Sequence, residues 1–315
     1  MSRQDAATAA GEARATGPAA PARTDLVLLL MVLIWAVNFS VVKAALAELP
    51  PLAFNALRFP LASLVVLAAL RRRGPVPLPR RDHRLRITML ALVANVVYQL
   101  LFIFGMDRTR AGNASVLLAG TPVLTALFSA WAGHERLSAR AWVGVSGAVI
   151  GMALIVASGG GELGFGAETL AGDLMMIGAS LAWALYTVGA RDMIAEYGPI
   201  PVTAWTLWIG SLGLLGLGAP ALARLDWGTV SLAAWGGVAY AGGLGIGLAY
   251  LIWNTGVHRI GNTRTAMYSN LVPVVALVVA WAWLGERPLP WQVVGAAVII
   301  GGITLAHQAR VPAAS

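Results

Sequence analysis

Asn95, Tyr98, Gln99 and Phe102 stand at i, i+3, i+4 and i+7 in the stretch LVANVVYQLLF, a spacing that gathers them on one face of a helix. Two amides and a phenol beside aromatic carbon can hydrogen-bond and stack a small amphipathic molecule. They can equally tie one helix to another, a contact that averages about 0.6 kcal/mol in membranes. An amide left unpaired in hydrocarbon costs roughly 4–8 kcal/mol, so this face must look towards other helices or towards water. Three polar side chains together favour the wall of a wet cavity. Two other apolar runs repeat the theme at matching places, Trp35 with Asn38 and Phe39, and Trp183 with Tyr186 and Thr187. Trp205, Trp208, Tyr240, Tyr250 and Tyr268 lie in later runs. Trp35, Tyr98, Trp183, Tyr186 and Tyr240 sit deepest and are the stronger candidates for substrate contact. Trp131, Trp227, Trp281, Trp283 and Trp291 lie near run ends, where indoles anchor to a lipid interface.

The backbone supplies a second set of polar groups. Pro122 and Pro273 interrupt two apolar runs at matching positions. A proline cannot donate to the helix ladder and crowds the carbonyl four residues back, so the carbonyls of Leu118 and Ser269 are expected to lose their partners. Backbone freed at membrane depth must be buried in protein or face water, and paired Gly/Pro breaks point to a transporter's site. Gly120, Thr121, Ser269 and Asn270 therefore join the candidate binding residues, with a plain packing kink as the alternative. Arg58, about two turns into the second run, could meet a substrate carboxylate or snorkel to the interface and pair with a loop acid. Lys43, one turn from the end of the first run, reads as a snorkelling anchor.

Catalytic chemistry is hard to assemble from this chain. Its fourteen Asp and Glu fall in the tail, in loops or at run ends, and so do its four His. That leaves no acid–base pair and no metal-ligand cluster at depth, and it argues against an intramembrane enzyme. GGLGIG (Gly242 to Gly247) imitates a dinucleotide loop, but it lies inside an apolar run with no preceding strand, so no cofactor is expected. Proton-coupled exporters usually carry a buried ionisable relay; its absence here predicts facilitative flux. The Glu135-Arg136 and Glu286-Arg287 pairs read as hairpin connectors.

The elements that must position these residues follow from composition. The chain is 58% hydrophobic and 11% charged with mean hydropathy +0.74, where soluble domains are about 45–50% apolar and about 25% charged. Apolar runs of about 20 residues are long enough to cross a bilayer core as helices. They occupy 25–47, 52–70, 86–106, 112–132, 138–157, 170–189, 203–223, 230–254, 262–284 and 291–307, ten predicted spans. With the N-terminus in the cytoplasm, sixteen Lys and Arg face that side and six the other, which places both termini there. Much of this bias, and of the +8 net charge, comes from the Arg71 to Arg86 loop, whose lack of aromatics gives nucleic-acid bases nothing to stack on. The first run lacks a cleavage site and should be an uncleaved anchor. Residues 1–24 are expected to be a disordered cytoplasmic tail, 158–169 a periplasmic linker and 308–315 a second cytoplasmic tail. There is no cysteine.

The chain repeats itself. At an offset of 148, Asp25 meets Asp173, Trp35 meets Trp183, Glu48 meets Glu196 and Pro51 meets Pro199. Further on, RAGN (Arg110 to Asn113) meets RIGN (Arg259 to Asn262), and Pro122, Glu135, Arg136, Gly144 and Gly151 meet Pro273, Glu286, Arg287, Gly295 and Gly302. Each copy (25–157 and 170–307) holds five runs, and an odd number makes the second copy enter the membrane from the opposite side. Inverted repeats are a construction of secondary transporters, because two copies can exchange conformations and open alternately to each face. Small residues such as Gly147, Gly151, Gly295, Gly301 and Gly302 should let the last helix of each copy approach a neighbour closely.

LIWAVNFSVVKA in the first run, FNALRF in the second and the twice-used Pro-Val, apolar run and Glu-Arg resemble the drug/metabolite transporter superfamily, EamA type, most of all its YddG-type amino-acid exporters. The resemblance covers roughly residues 25–307. It implies an all-α integral membrane protein of ten helices as two inverted five-helix repeats, in the cell inner membrane, with a central cavity lined by helices 1–4 and 6–9. The membrane glutamate of the small multidrug exporters in that superfamily has no counterpart here. Export of neutral and aromatic amino acids is the implied activity. The alternatives are export of another metabolite or drug-like compound, or a membrane scaffold or receptor. The expected partners are a small-molecule substrate and the lipid bilayer, with no nucleic acid and no obligatory protein.

Overall fold

The computed structural model describes residues 19–71, 78–133, 136–157, 167–260, 268–308 and 310–311. The first tail up to residue 18, most of the 158–169 linker, and Glu135 and Asn262 lie outside them. Among the described residues the regular structure is helical apart from a two-residue antiparallel pairing of Arg136–Leu137 with Arg310–Val311, which gives part of the expected C-terminal tail a fixed partner.

Among the described residues eight helices are long and apolar enough to cross a membrane. They are α1 (Ala19–Ala45), α2 (Pro51–Arg71), α3 (Arg81–Arg108), α4 (Ala111–Trp131), α5 (Ala139–Ala157), α6 (Ala167–Gly189), α7 (Pro199–Ala223) and α8 (residues 232–260). Two shorter apolar helices follow, α9 (Val272–Leu284) and α10 (Pro290–Gln308). α1 begins six residues before the expected start of the first span: Pro21 falls in its first turn, where a missing N–H breaks no ladder bond. A short helix that the apolar pattern did not reveal, Arg191–Tyr197, connects α6 to α7. The five tryptophans expected at the lipid interface, Trp131, Trp227, Trp281, Trp283 and Trp291, are all exposed.

Two helices leave ideal geometry. Val93–Val97 of α3 and Tyr240–Leu248 of α8 are π-helical. Shifted by the repeat offset of 148, the first segment becomes 241–245 and falls inside the second. Packing partners also come in matched sets. α2 packs on α7, α5 on α10 and α4 on α9; α1 meets α8 and α9 as α6 meets α3 and α4. The α5–α10 contact is backbone to backbone: a Cβ on Gly151 would sit 2.7 Å from the Gly295 carbonyl, and one on Gly302 would overlap the Gly144 carbonyl. Gly301 faces open space and takes no part.

The ends of the bundle follow from polar contacts. Near the end of α1, Lys43 donates to the carbonyls of Met106 (2.8 Å) and Asp107 (3.0 Å) at the end of α3, so it ties two helices together instead of snorkelling. The next residues of α3 lead to Thr109, whose hydroxyl donates to Asp173 in the second turn of α6. At the start of α3, Arg86 donates to the Gly189 carbonyl (3.0 Å) and to Asp192 (2.7 Å) just past the end of α6. The end of α1 and the start of α6 therefore share one end of the bundle.

Candidate functional site

The FNALRF stretch builds the most unusual site in the molecule. On a helix, Asn55 and Arg58 are i and i+3 and share a face, so Arg58 Nε reaches Asn55 Oδ1 at 2.9 Å. Its Nη2 donates to Gln99 Oε1 at 2.6 Å, while Asn55 Nδ2 donates to the Gln99 carbonyl at 3.2 Å. Phe54, Phe59 and Phe102 place ring centroids 5.1, 5.6 and 5.4 Å from the guanidinium carbon. α8 closes the site from behind: a Cβ on Gly242 would lie 2.5 Å from the Arg58 carbonyl.

Arg58 is 1% exposed, which excludes snorkelling. No carboxylate lies within ion-pair distance of it among the described residues. The titratable groups that act on it electrostatically are the phenols Tyr98 and Tyr250. Three cation–π contacts of about 0.5–2 kcal/mol each and two charge-assisted hydrogen bonds hold the cation, but no negative charge answers it. Further guanidinium N–H donors remain that neither amide uses.

Beside this cation the aromatic candidates form a continuous wall. Tyr98 stacks on Phe102 (centroids 6.0 Å) and tilts on Trp183 (5.1 Å), which in turn meets Tyr186 (5.3 Å) and Tyr250 (6.2 Å). Tyr98, Trp183 and Tyr186 are thus brought together, while Gln99 on the same stretch turns to Arg58 and Asn55. Tyr250 completes the wall, although its shallower place in its run ranked it lower. Asn55 went unread because an amide beside an arginine in a helix has no distinctive signal.

The remaining candidates fall elsewhere. Trp35 donates to the Gly245 carbonyl (3.0 Å) and tilts on Trp253 (5.7 Å); Tyr240 donates to the Ile34 carbonyl (3.1 Å). Asn38 abuts Gly245, and its carbonyl oxygen is buried with no hydrogen-bond partner among the described residues. These three form a separate α1–α8 seam, joined at its end by Tyr268, which packs with Trp35 against the same cluster of Leu28, Met31 and Ile34 and bonds to Asp25 (2.7 Å). Asn95 does not line the wall: it is buried in the Val93–Val97 segment against α7, so closely that a Cβ on Gly210 would overlap its own. Trp205 is a packing residue, buried edge-on to Tyr197 at 5.1 Å between Leu90 and Met193.

The helix breaks are present but better satisfied than expected. α4 turns at Gly120, Pro122 sits in the first turn of the segment that follows, and the Leu118 carbonyl is taken up by the Thr121 hydroxyl at 2.6 Å. Before α9 the chain turns at Asn270 and Leu271, after Ser269, and Pro273 occupies the first turn of α9 instead of its interior. Gly120 backs onto Met152 of α5 and Thr121 is half-buried, so the first break serves packing as well as polarity. The Glu286-Arg287 connector also does more than connect: Glu286 accepts from the Ala111 and Gly112 amides, and Arg110 donates to the Arg287 carbonyl.

A family model described as the EamA-like transporter family matches the chain twice, over residues 22–157 and 170–307. The chain belongs to that family. This EamA-like transporter is 30% identical over 284 residues to a protein of Streptantibioticus cattleyicolor named "Probable terminal-alkyne amino-acid exporter", covering 89% of this chain and 92% of the relative. It is 27% identical to the uncharacterized transporter YyaM of Bacillus subtilis, over 87% of this chain and 90% of that one. A crystal structure with 22% sequence identity superposes with a TM-score of 0.63 over 90% of this transporter and 96% of its own chain, a likeness of fold. Helices and family together make it a multi-pass membrane protein and point to a transporter, not an enzyme.

Proposed function

We propose that this transporter exports small neutral or amphipathic amino acids, aromatic ones included, across the cell inner membrane by alternating access between two inverted five-helix halves. The observation that carries the substrate class is Arg58, a buried cation with no carboxylate of its own, next to the wall of Tyr98, Trp183, Tyr186 and Tyr250. A substrate carboxylate supplies the missing charge to the free guanidinium donors, and its apolar or aromatic side chain stacks on the wall. The amino-acid exporter among the relatives favours the same class.

The double family match, the matched packing partners and the opposite-end starts of α1 and α6 support the inverted arrangement of ten spans. The charge bias favours both termini in the cytoplasm. Around Arg58 the titratable groups are phenols, and the fully buried carboxylate Asp173 is held by neutral donors at one end of the bundle, which supports facilitative flux over proton coupling.

Counterflow of labelled neutral amino acids into proteoliposomes, with and without a pH gradient, tests this reading. Saturable exchange that Gln99→Ala and Tyr186→Ala reduce without loss of membrane insertion is expected. Accumulation that follows the pH gradient would refute facilitative flux, and exchange of drug-like compounds but of no amino acid would refute the substrate class.

A further inference from the structure

One buried carboxylate went unread in the sequence. Asp173 lies near the start of its apolar run, where an acid is ordinarily wet, yet it is fully buried. Both of its oxygens accept from Asn113 Nδ2 (3.4 Å each), and one also takes the Thr109 hydroxyl. Asn113 in turn accepts from Gln292 Nε2 of α10 at 2.8 Å. No cation lies within ion-pair distance of Asp173 among the described residues, so hydrogen-bond donors alone hold it. α6 presses hard on its partner there: a Cβ on the preceding Gly172 would lie 2.7 Å from the backbone of Arg108 and Thr109.

The offset of 148 carries Asp173 back to Asp25, and each aspartate is the seventh residue of its helix. Asp25 accepts the Tyr268 hydroxyl at 2.7 Å, just ahead of the proline turn of α9. Asp173 takes Asn113 from ahead of the proline turn of α4. Each half therefore offers a carboxylate at the start of its first helix to donors from the proline-broken helix of the other half. The two contacts lie at opposite ends of the bundle: Lys43 belongs to the Asp173 end, and Asp25 is eighteen residues, about 27 Å, back along α1.

We infer that Asp25 and Asp173 are a symmetric pair of latches, each holding one end of the bundle shut, and that their exchange sets which face of the transporter is open. The inference rests on the alternating-access reading above. Both contacts are made in the present state. Asp173 is fully buried with two donor side chains, and Asp25 is half-buried. At the Asp25 end a groove of about 200 Å³ lies between α3 and α6, its lining including Arg86, Gly189 and the exposed Met89 and Leu185. A hydrogen bond to a carboxylate that forms in one state and not in the other biases the two by about tenfold or more. Two such contacts at opposite ends offset one another, which keeps both states populated.

The chain has no cysteine, so a single Tyr98→Cys reporter in the aromatic wall is its only thiol. In membrane vesicles of each orientation, a membrane-impermeant maleimide applied from either face reads how open that face is. Asp173→Ala removes one of the two latches and is expected to raise labelling from the Asp173 face about tenfold relative to the other. Asp25→Ala is expected to shift the ratio the opposite way, and the double variant to return near the parent. If the reporter is reachable from both faces in the parent and neither variant moves the ratio, or both move it the same way, the latches are refuted while alternating access stands. If the reporter is reachable from one face only in parent and variants alike, both readings fall. Should Asp173→Ala fail to insert, Asp25→Ala alone decides, because an unchanged ratio refutes the pairing.

Discussion

Replacing Arg58 by Gln separates its role in binding from its role in folding. In the folded protein the guanidinium donates to Asn55 and Gln99, and the side chain is buried. Removing it leaves those two amide oxygens short of a donor, roughly 1–3 kcal/mol each. Against this, no carboxylate loses a partner, and a desolvated cation that itself costs several kcal/mol disappears. The terms nearly offset, so the thermal midpoint in detergent should shift by only a few degrees. Binding behaves differently, since a substrate carboxylate loses a charge-assisted bond of about 1.5–3 kcal/mol, which is about ten- to hundredfold in affinity. Competition in counterflow between a neutral aromatic amino acid and its carboxamide isolates that term. In the parent the acid should compete at least about tenfold better than the amide; in Arg58→Gln the two should become equivalent while the amide's own affinity holds. An unchanged preference for the acid in the variant would show that Arg58 is a structural cation, and the substrate argument built on it would fall.

Three further outcomes follow from particular contacts. Gly242→Ala drives a methyl against the Arg58 backbone, so overpacking of about 1–3 kcal/mol should lower the thermal midpoint; Gly243→Ala, which points into open space, should leave it unchanged. Thr121→Val strips the hydroxyl that takes up the Leu118 carbonyl and should destabilise by about 1–3 kcal/mol in denaturant titration, whereas Thr121→Ser should not. Glu48, in the loop after α1, accepts from the Ser231 amide and hydroxyl at 2.8 Å each, and these bonds hold its carboxyl below its ordinary 4.5. A depressed folded value means that its contribution is complete above 4.5 and is lost as pH falls through the folded value. The acid limb of a midpoint-against-pH curve should therefore flatten in Glu48→Gln.

Membrane helices were legible because burial of backbone in lipid leaves few solutions, and runs of apolar residues read directly as spans. The ends were harder. α1 extends back over Pro21 and α3 over Arg81, since helices run on past the apolar stretch once flanking residues find partners such as Tyr197, which bonds to the Arg80 amide and to His83. The aromatic wall came from spacing on α3 and α6. The burial of Arg58 and Asp173 did not, because a charge near the end of an apolar run reads as wet unless its partners are known. Those partners, Gln99 for one and Thr109 and Asn113 for the other, lie 41, 64 and 60 residues away. Trp205 was misread for the converse reason: a large aromatic in a membrane helix serves a core or a cavity equally well, and only its edge-on contact with Tyr197 decides.

The π-helical segments bind these observations together. Such bulges are rare and concentrate at functional positions, because the extra residue breaks the regular ladder and redirects the side chains beyond it. In α3 the segment ends immediately before Tyr98 and Gln99, so it fixes the angle at which the wall and the Arg58 partner are presented. In α8 it contains Gly242, which lies against Arg58, and Gly245, whose carbonyl takes Trp35, and it ends two residues before Tyr250. Both irregular stretches thus bracket the same buried cation from opposite halves of the chain. A helix that must change its tilt without losing its hydrogen bonds can do so most readily where the ladder is already irregular. Movement of α3 and α8 about these two points would reorganise Gln99 and Tyr250 around Arg58 while the glycine-tight α5–α10 contact holds still.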